Sequence, residues 1–143
     1  MPETVLFACV HNAGRSQIAA AFFNQLADSG LASAVSAGTE PAARVHPEVE
    51  QVMREVGIEL SAAVPRKLTA ELARGAALLV TLGCGEQCPA IMGLAVEDWP
   101  VADPKGQGPA KARAIRDELR ARVERLLAAR GWARQRAPGG ERG

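Results

Sequence analysis

The chain contains no tyrosine, and aromatic residues fill only 3% of its 143 positions. Base-stacking platforms and aromatic-lined grooves need many flat side chains, so no nucleic-acid partner is expected. Charge of one sign is missing too: 17 Lys and Arg face 16 Asp and Glu, for a net +1. A balance so close to zero argues against a general polyanion surface. No apolar run approaches the roughly 20 residues of a membrane span. The opening Met1-Pro2-Glu3-Thr4 puts no basic stretch before its short apolar run, so no secretory signal is expected. These absences point to a cytoplasmic protein without a membrane partner. Cysteine is scarce: Cys9, Cys84 and Cys88. An odd count in a chain without a visible signal argues against a disulfide framework. Inert core residues, metal ligands and redox groups remain open for the three thiols.

Hydrophobic residues make up 48% of the chain, enough for a full core in one domain. Strands are expected at Thr4–Ala8, Ser33–Ala37, Ala76–Leu82 and in the Leu94–Trp99 region. Helices are expected at Ser16–Asp28, His46–Val56 (ended by Gly57), Thr69–Arg74 and Pro109–Arg130. In the last of these, Ile115, Leu119, Val123, Leu126 and Leu127 face inward. Alternating strands and helices imply an α/β fold: three αβα layers around a four-stranded, mainly parallel sheet. Ligands of such folds sit beyond the carboxyl ends of the strands, where Cys9 and Cys84 both fall. The domain is expected to span residues 1–130. The polar Gly-, Pro- and Arg-rich remainder, 131–143, is expected to be a disordered tail.

Cys9 to Ser16, "CVHNAGRS", runs from an expected strand into an expected helix. Such a loop gathers unpaired backbone N–H groups at a helix start, where the helix dipole favours an anion. Val10, His11, Asn12, Ala13, Gly14 and Arg15 are candidates for a backbone nest around a tetrahedral oxyanion. Arg15 adds a two-pronged clamp. Cys9 lies at the floor of this positive bowl, where its thiolate form is favoured. Ser16 is placed to donate a hydrogen bond to the sulfur. Asn12 tolerates a left-handed backbone and can hold the loop. His46, before Pro47, is expected to open the second helix, and His11 to line the loop mouth. Arg66 and Lys67 are read as a solvated basic patch that can also attract oxyanions.

The segment Cys9–Ser16 resembles the signature loop of the low-molecular-weight protein tyrosine phosphatase superfamily, which includes phosphatases and arsenate reductases. The resemblance continues through "SAGTEP" (Ser36–Pro41), "VTLGCGEQCP", "EDWPVADP" (Glu97–Pro104) and the charged helix that follows. Asp103-Pro104 matches the family's general acid, which protonates a leaving oxygen. Trp99 is expected to anchor that loop in the core. Phosphotyrosine hydrolases of this type usually carry tyrosines after Asp-Pro, whereas Lys105-Gly106 follows here. Eukaryotic-type members place a second cysteine where this chain has Gly14.

Cys84-Gly85-Glu86-Gln87-Cys88-Pro89 tips the resemblance toward arsenate reduction. It implies that Cys9 attacks arsenate, that Cys84 attacks the Cys9 sulfur as arsenite leaves, and that Cys88 then forms a Cys84–Cys88 disulfide. Gly83 and Gly85 are expected to give Cys84 freedom to move. An external reductant is needed, by resemblance thioredoxin supplied from NADPH. Related enzymes with "GCG…CP" segments use mycothiol and a mycoredoxin instead. An aryl or tyrosine phosphatase working through a phosphocysteine is the alternative activity. No bound cofactor and no metal is expected. C-x3-C is not a usual zinc spacing, and Ala20 stands where some potassium-binding members carry an acid. A monomer is expected.

Overall fold

A computed structural model of the protein describes residues 2–83 and 93–134. The elements in chain order are β1 (Glu3–Cys9), α1 (Arg15–Leu26), β2 (Ala32–Gly38), α2 (Pro47–Arg54), α3 (Ala70–Arg74), β3 (Leu78–Thr81), β4 (Ala95–Asp98) and α4 (Pro109–Arg130). The four strands form one sheet in the order β2-β1-β3-β4, with every neighbouring pair parallel. Pairing carries Cys9 opposite Gly38 and Ala8 opposite Thr81. All four strands therefore end at one rim.

Side-chain alternation along β1 explains the layers. Val5, Phe7 and Cys9 belong to the main core with α1, α2 and α4, whereas Leu6 and Ala8 face the smaller core that holds Ala73 of α3. Phe7 is clamped between Phe23 of α1 (ring centroids 5.9 Å apart) and Trp99 (5.6 Å). Trp99 is buried, and its indole N–H donates to Glu97 at 3.1 Å, so it anchors the chain after β4 as expected. The α4 seam Ile115, Leu119, Val123, Leu126, Leu127 is buried. Each such side chain contributes about 1.5–3 kcal/mol.

Two devices fix the periphery. Asn24 of α1 reaches edge strand β2, accepting from Ala34 N–H at 2.8 Å and donating to Ala34 O at 3.0 Å. That occupies backbone groups an edge would otherwise expose. Between α2 and α4, Arg116 donates to Val52 O and to Glu55, both at 2.9 Å, and Arg113 donates to Glu55 at 2.8 Å. The hydrogen bond from Arg113 foremost, then that from Arg116, holds the Glu55 carboxyl down at about 2.

Past α4 the chain is tied back to the core. Gly131 turns left-handed (φ 72°), and Trp132 N–H reaches back to Leu127 O at 2.9 Å. This is a glycine-closed helix end whose next residue packs on the core. Trp132 stacks edge-on against Phe23 at 6.1 Å, Ala133 bridges Ala27, and Arg134 N–H donates to Leu26 O. Residues 131–134 thus belong to the fold, because an aromatic ring and a backbone bridge tie them to α1.

Candidate active site

From β1 the chain passes to β2 on one side, and from its neighbour β3 it passes to β4 on the other. This divergence opens a crevice at the strand ends, where α/β sheets take ligands. Cys9 ends β1 at this point, only 2% exposed. The loop after it is held from outside by its carbonyls. Cys9 O accepts from Thr39 N–H, Val10 O from Glu40, His11 O from Ala42, Ala13 O from His46 and Gly14 O from Ile18. Asn12 O accepts from the Gln17 side chain at 3.0 Å. In a trans peptide the next N–H points opposite to the carbonyl. The N–H groups of Val10 through Arg15 are therefore turned away from these carbonyl contacts. Helix α1 has no side-chain cap and no acidic residue in its first turn, which leaves its positive end available to an anion.

Asn12 is the keystone. It is fully buried with φ 50°, the left-handed value its residue type tolerates. Its Oδ1 accepts from Arg66 N–H at 2.9 Å and from Gln17 at 3.3 Å, so Nδ2 faces Ser16 Oγ at 2.7 Å. Ser16 Oγ in turn lies 2.9 Å from Cys9 Sγ. A thiolate can only accept, so once Cys9 is ionised the Ser16 hydroxyl donates to the sulfur.

Arg15 emerges from the first turn of α1 with its side chain only 11% exposed. It donates to Val101 O at 3.1 Å and faces Asp103 at 3.7 Å. Gly83 makes room for it: a Cβ there would collide with Arg15 Nη1, and Gly83 has φ 82°. The glycine read from sequence as freedom for Cys84 thus has a steric duty. Gly38 is similarly forced, since a Cβ would lie 2.6 Å from Val10 O. At Gly14 a Cβ would sit 3.3 Å from the Pro104 ring, so the proline of Asp103-Pro104 rests directly on the loop. Asp103 also accepts from Lys105 N–H at 3.0 Å, and Glu48 of α2 accepts from Gly106 N–H at 3.1 Å, pinning this segment.

The structure therefore brings Cys9, the 10–16 loop, Arg15 and Asp103 together. Cys84 and Cys88 lie outside the described residues, although Gly83 delivers the chain to Arg15. His46 caps α2 as expected, and His11 Nδ1 lies 3.1 Å from Glu40 O at the rim. Lys67 donates to Thr39 O at 2.8 Å, and Arg66 serves the site through its backbone N–H. Gln17, Gly83, Val101 and Glu48 take part without having been anticipated. Only Gln17 left a trace in sequence, as an amide on the first turn directly after the loop.

A family model described as low molecular weight phosphotyrosine protein phosphatase matches residues 4–136. A glutaredoxin arsenate reductase of Synechocystis sp. is 35% identical over 129 residues, covering 88% of this chain and 97% of the relative. The structure of a thioredoxin-dependent arsenate reductase from Corynebacterium glutamicum superposes with TM-score 0.77 at 38% identity, covering 90% of this chain. This chain spans only 61% of that protein's length. An arginine phosphatase from Geobacillus stearothermophilus superposes with TM-score 0.79 at 27% identity, covering 91% of this chain and 94% of its own. Fold, loop and the match over residues 4–136 agree: the chain belongs to the low molecular weight phosphotyrosine protein phosphatase family.

Proposed function

We propose that this protein reduces arsenate to arsenite with three thiols, Cys9, Cys84 and Cys88, regenerated by an external dithiol of the thioredoxin or glutaredoxin kind. One observation carries the reading. Leu82 N–H bonds to Ala8 O, and the next residue, Gly83, packs on the Arg15 guanidinium. The chain thus reaches the oxyanion clamp one residue before Cys84, and consecutive Cα atoms are about 3.8 Å apart. Relatives named for arsenate reduction support the same choice.

The residues would divide the chemistry as follows. Arsenate lies in the N–H cradle with two oxygens on Arg15. The Cys9 thiolate, oriented by Ser16, displaces one oxygen from arsenic, and Asp103 protonates it so that it leaves as water. A Cys9 sulfur–arsenic(V) bond results. Cys84 thiolate then attacks the Cys9 sulfur; that bond's electron pair stays on arsenic, which departs as arsenite. Cys88 attacks Cys84 and frees Cys9. Two thiols are oxidised to one disulfide for each arsenic reduced, so the electrons balance. No cofactor need be bound.

The test couples arsenate to NADPH oxidation through thioredoxin and its reductase, in parallel with glutaredoxin and glutathione, beside hydrolysis of an aryl phosphate. Cys9→Ser abolishes everything. Cys84→Ser and Cys88→Ser abolish dithiol-coupled turnover and spare any phosphatase activity. Full reductase turnover by both latter variants would sink the relay. Vigorous phosphate ester hydrolysis without arsenate-dependent turnover would favour the phosphatase reading.

A further inference from the structure

His46 has no part in the chemistry above, yet it stands inside the site. Its backbone N–H donates to Ala13 O at 3.0 Å. Its ring edge (Cδ2) lies 3.7 Å from the point where a Gly14 side chain would begin, and the Pro104 ring lies 3.3 Å from the same point. The imidazole and Asp103-Pro104 therefore flank one backbone position of the oxyanion loop. Four charged or titratable groups face the ring: Asp103 and Lys105 from the segment before α4, Glu48 from its own helix, and His11 from the loop. Burial, foremost, holds the imidazole below its ordinary value, against the upward pull of Asp103 and Glu48.

A count of charges shows what such a ring can do. Arg15 faces Asp103 at 3.7 Å, a nearly neutral pair. A tetrahedral dianion that engages Arg15 adds two negative charges and draws that cation away from Asp103. A Cys9 thiolate adds another. One proton relieves the imbalance, and Asp103 and His46 are the groups at hand. An imidazole is a stronger base than a carboxylate, so at neutral pH the ring accepts it at lower cost. We propose that His46 balances charge at this loop: its imidazole, set beside Gly14, takes up a proton when a tetrahedral dianion enters. The proton comes from solvent and returns to it when the anion leaves; no electrons move. This rests on reading the Cys9–Ser16 loop as an oxyanion site, whichever turnover follows.

Sulfate separates the two ideas, because it is a tetrahedral dianion that carries no proton at neutral pH and does not turn over. Its binding heat is measured by titration calorimetry in two buffers of different ionisation enthalpy. The wild type takes up roughly one proton per bound sulfate. His46→Asn binds sulfate with little or no uptake. Asparagine is a good helix cap, so the variant keeps α2, and a thermal melt checks it. By NMR the His46 ring midpoint moves from below the working pH to above it with saturating sulfate, a rise of about two units. Binding without uptake by the wild type, or equal uptake by His46→Asn, overturns the role of His46. Failure to bind sulfate at all instead overturns the oxyanion loop, and this inference falls with it.

Discussion

Ser16 carries a hydroxyl that can donate to the Cys9 sulfur when that sulfur is a thiolate. Asn12 Nδ2 occupies one side at 2.7 Å, and the Cys9 sulfur lies on the other at 2.9 Å. A hydrogen bond to a charged group contributes about 1.5–3 kcal/mol. Ser16→Ala should therefore lower the rate at which iodoacetamide alkylates Cys9 at pH 7 by about tenfold. Asn12→Ala, which leaves the hydroxyl in place but unsteered, should give a smaller loss in the same assay. At Gly83 the cause is steric: a Cβ would strike the Arg15 guanidinium from a left-handed backbone. Gly83→Ala should weaken oxyanion binding by about tenfold or more, the value of one charge-assisted hydrogen bond. Calorimetric titration with sulfate checks this, and unchanged affinity would refute the packing argument.

At the scale of elements, the α2–α4 contact is locked by charge. Glu55 accepts from both Arg113 and Arg116, which holds its carboxyl at about 2 against an ordinary 4.5. A carboxyl depressed on folding stabilises the fold above the ordinary value, and the contribution is lost as pH falls from about 4.5 toward about 2. Melting temperatures of Glu55→Gln should lie below wild type at pH 7 and converge with it as the solution is acidified through that window. Sequence alone located α4 with its observed ends, because its apolar spacing, opening proline and closing glycine all lie within the element. Other elements shift by a residue or two where caps decide the ends. The bowl was legible from Cys9 to Ser16 because strand, loop and helix are contiguous. What orients it was not. Val101 O meets Arg15 across 86 residues and Arg66 N–H meets Asn12 across 54. Backbone groups have no residue identity to read, and no local period announces such contacts.

For the whole molecule, closure depends on the chain coming back to its beginning. Trp132 rests on Phe23, and Arg130 lies over its ring at 5.4 Å. Trp132→Ala should cost about 2 kcal/mol in denaturant unfolding followed by Trp99 emission. An unchanged midpoint would return residues 131–134 to the status of a tail. The parallel sheet has a further consequence, for biogenesis. Cys9 belongs to the first strand made, yet the carbonyl that steadies Arg15 is synthesised 86 residues after that arginine. At about 5–20 residues per second, the nascent chain spends several seconds with an unsteered thiol. Reactivity is thus a property of the finished molecule: ribosomal intermediates and truncated products carry the cysteine without the means to activate it.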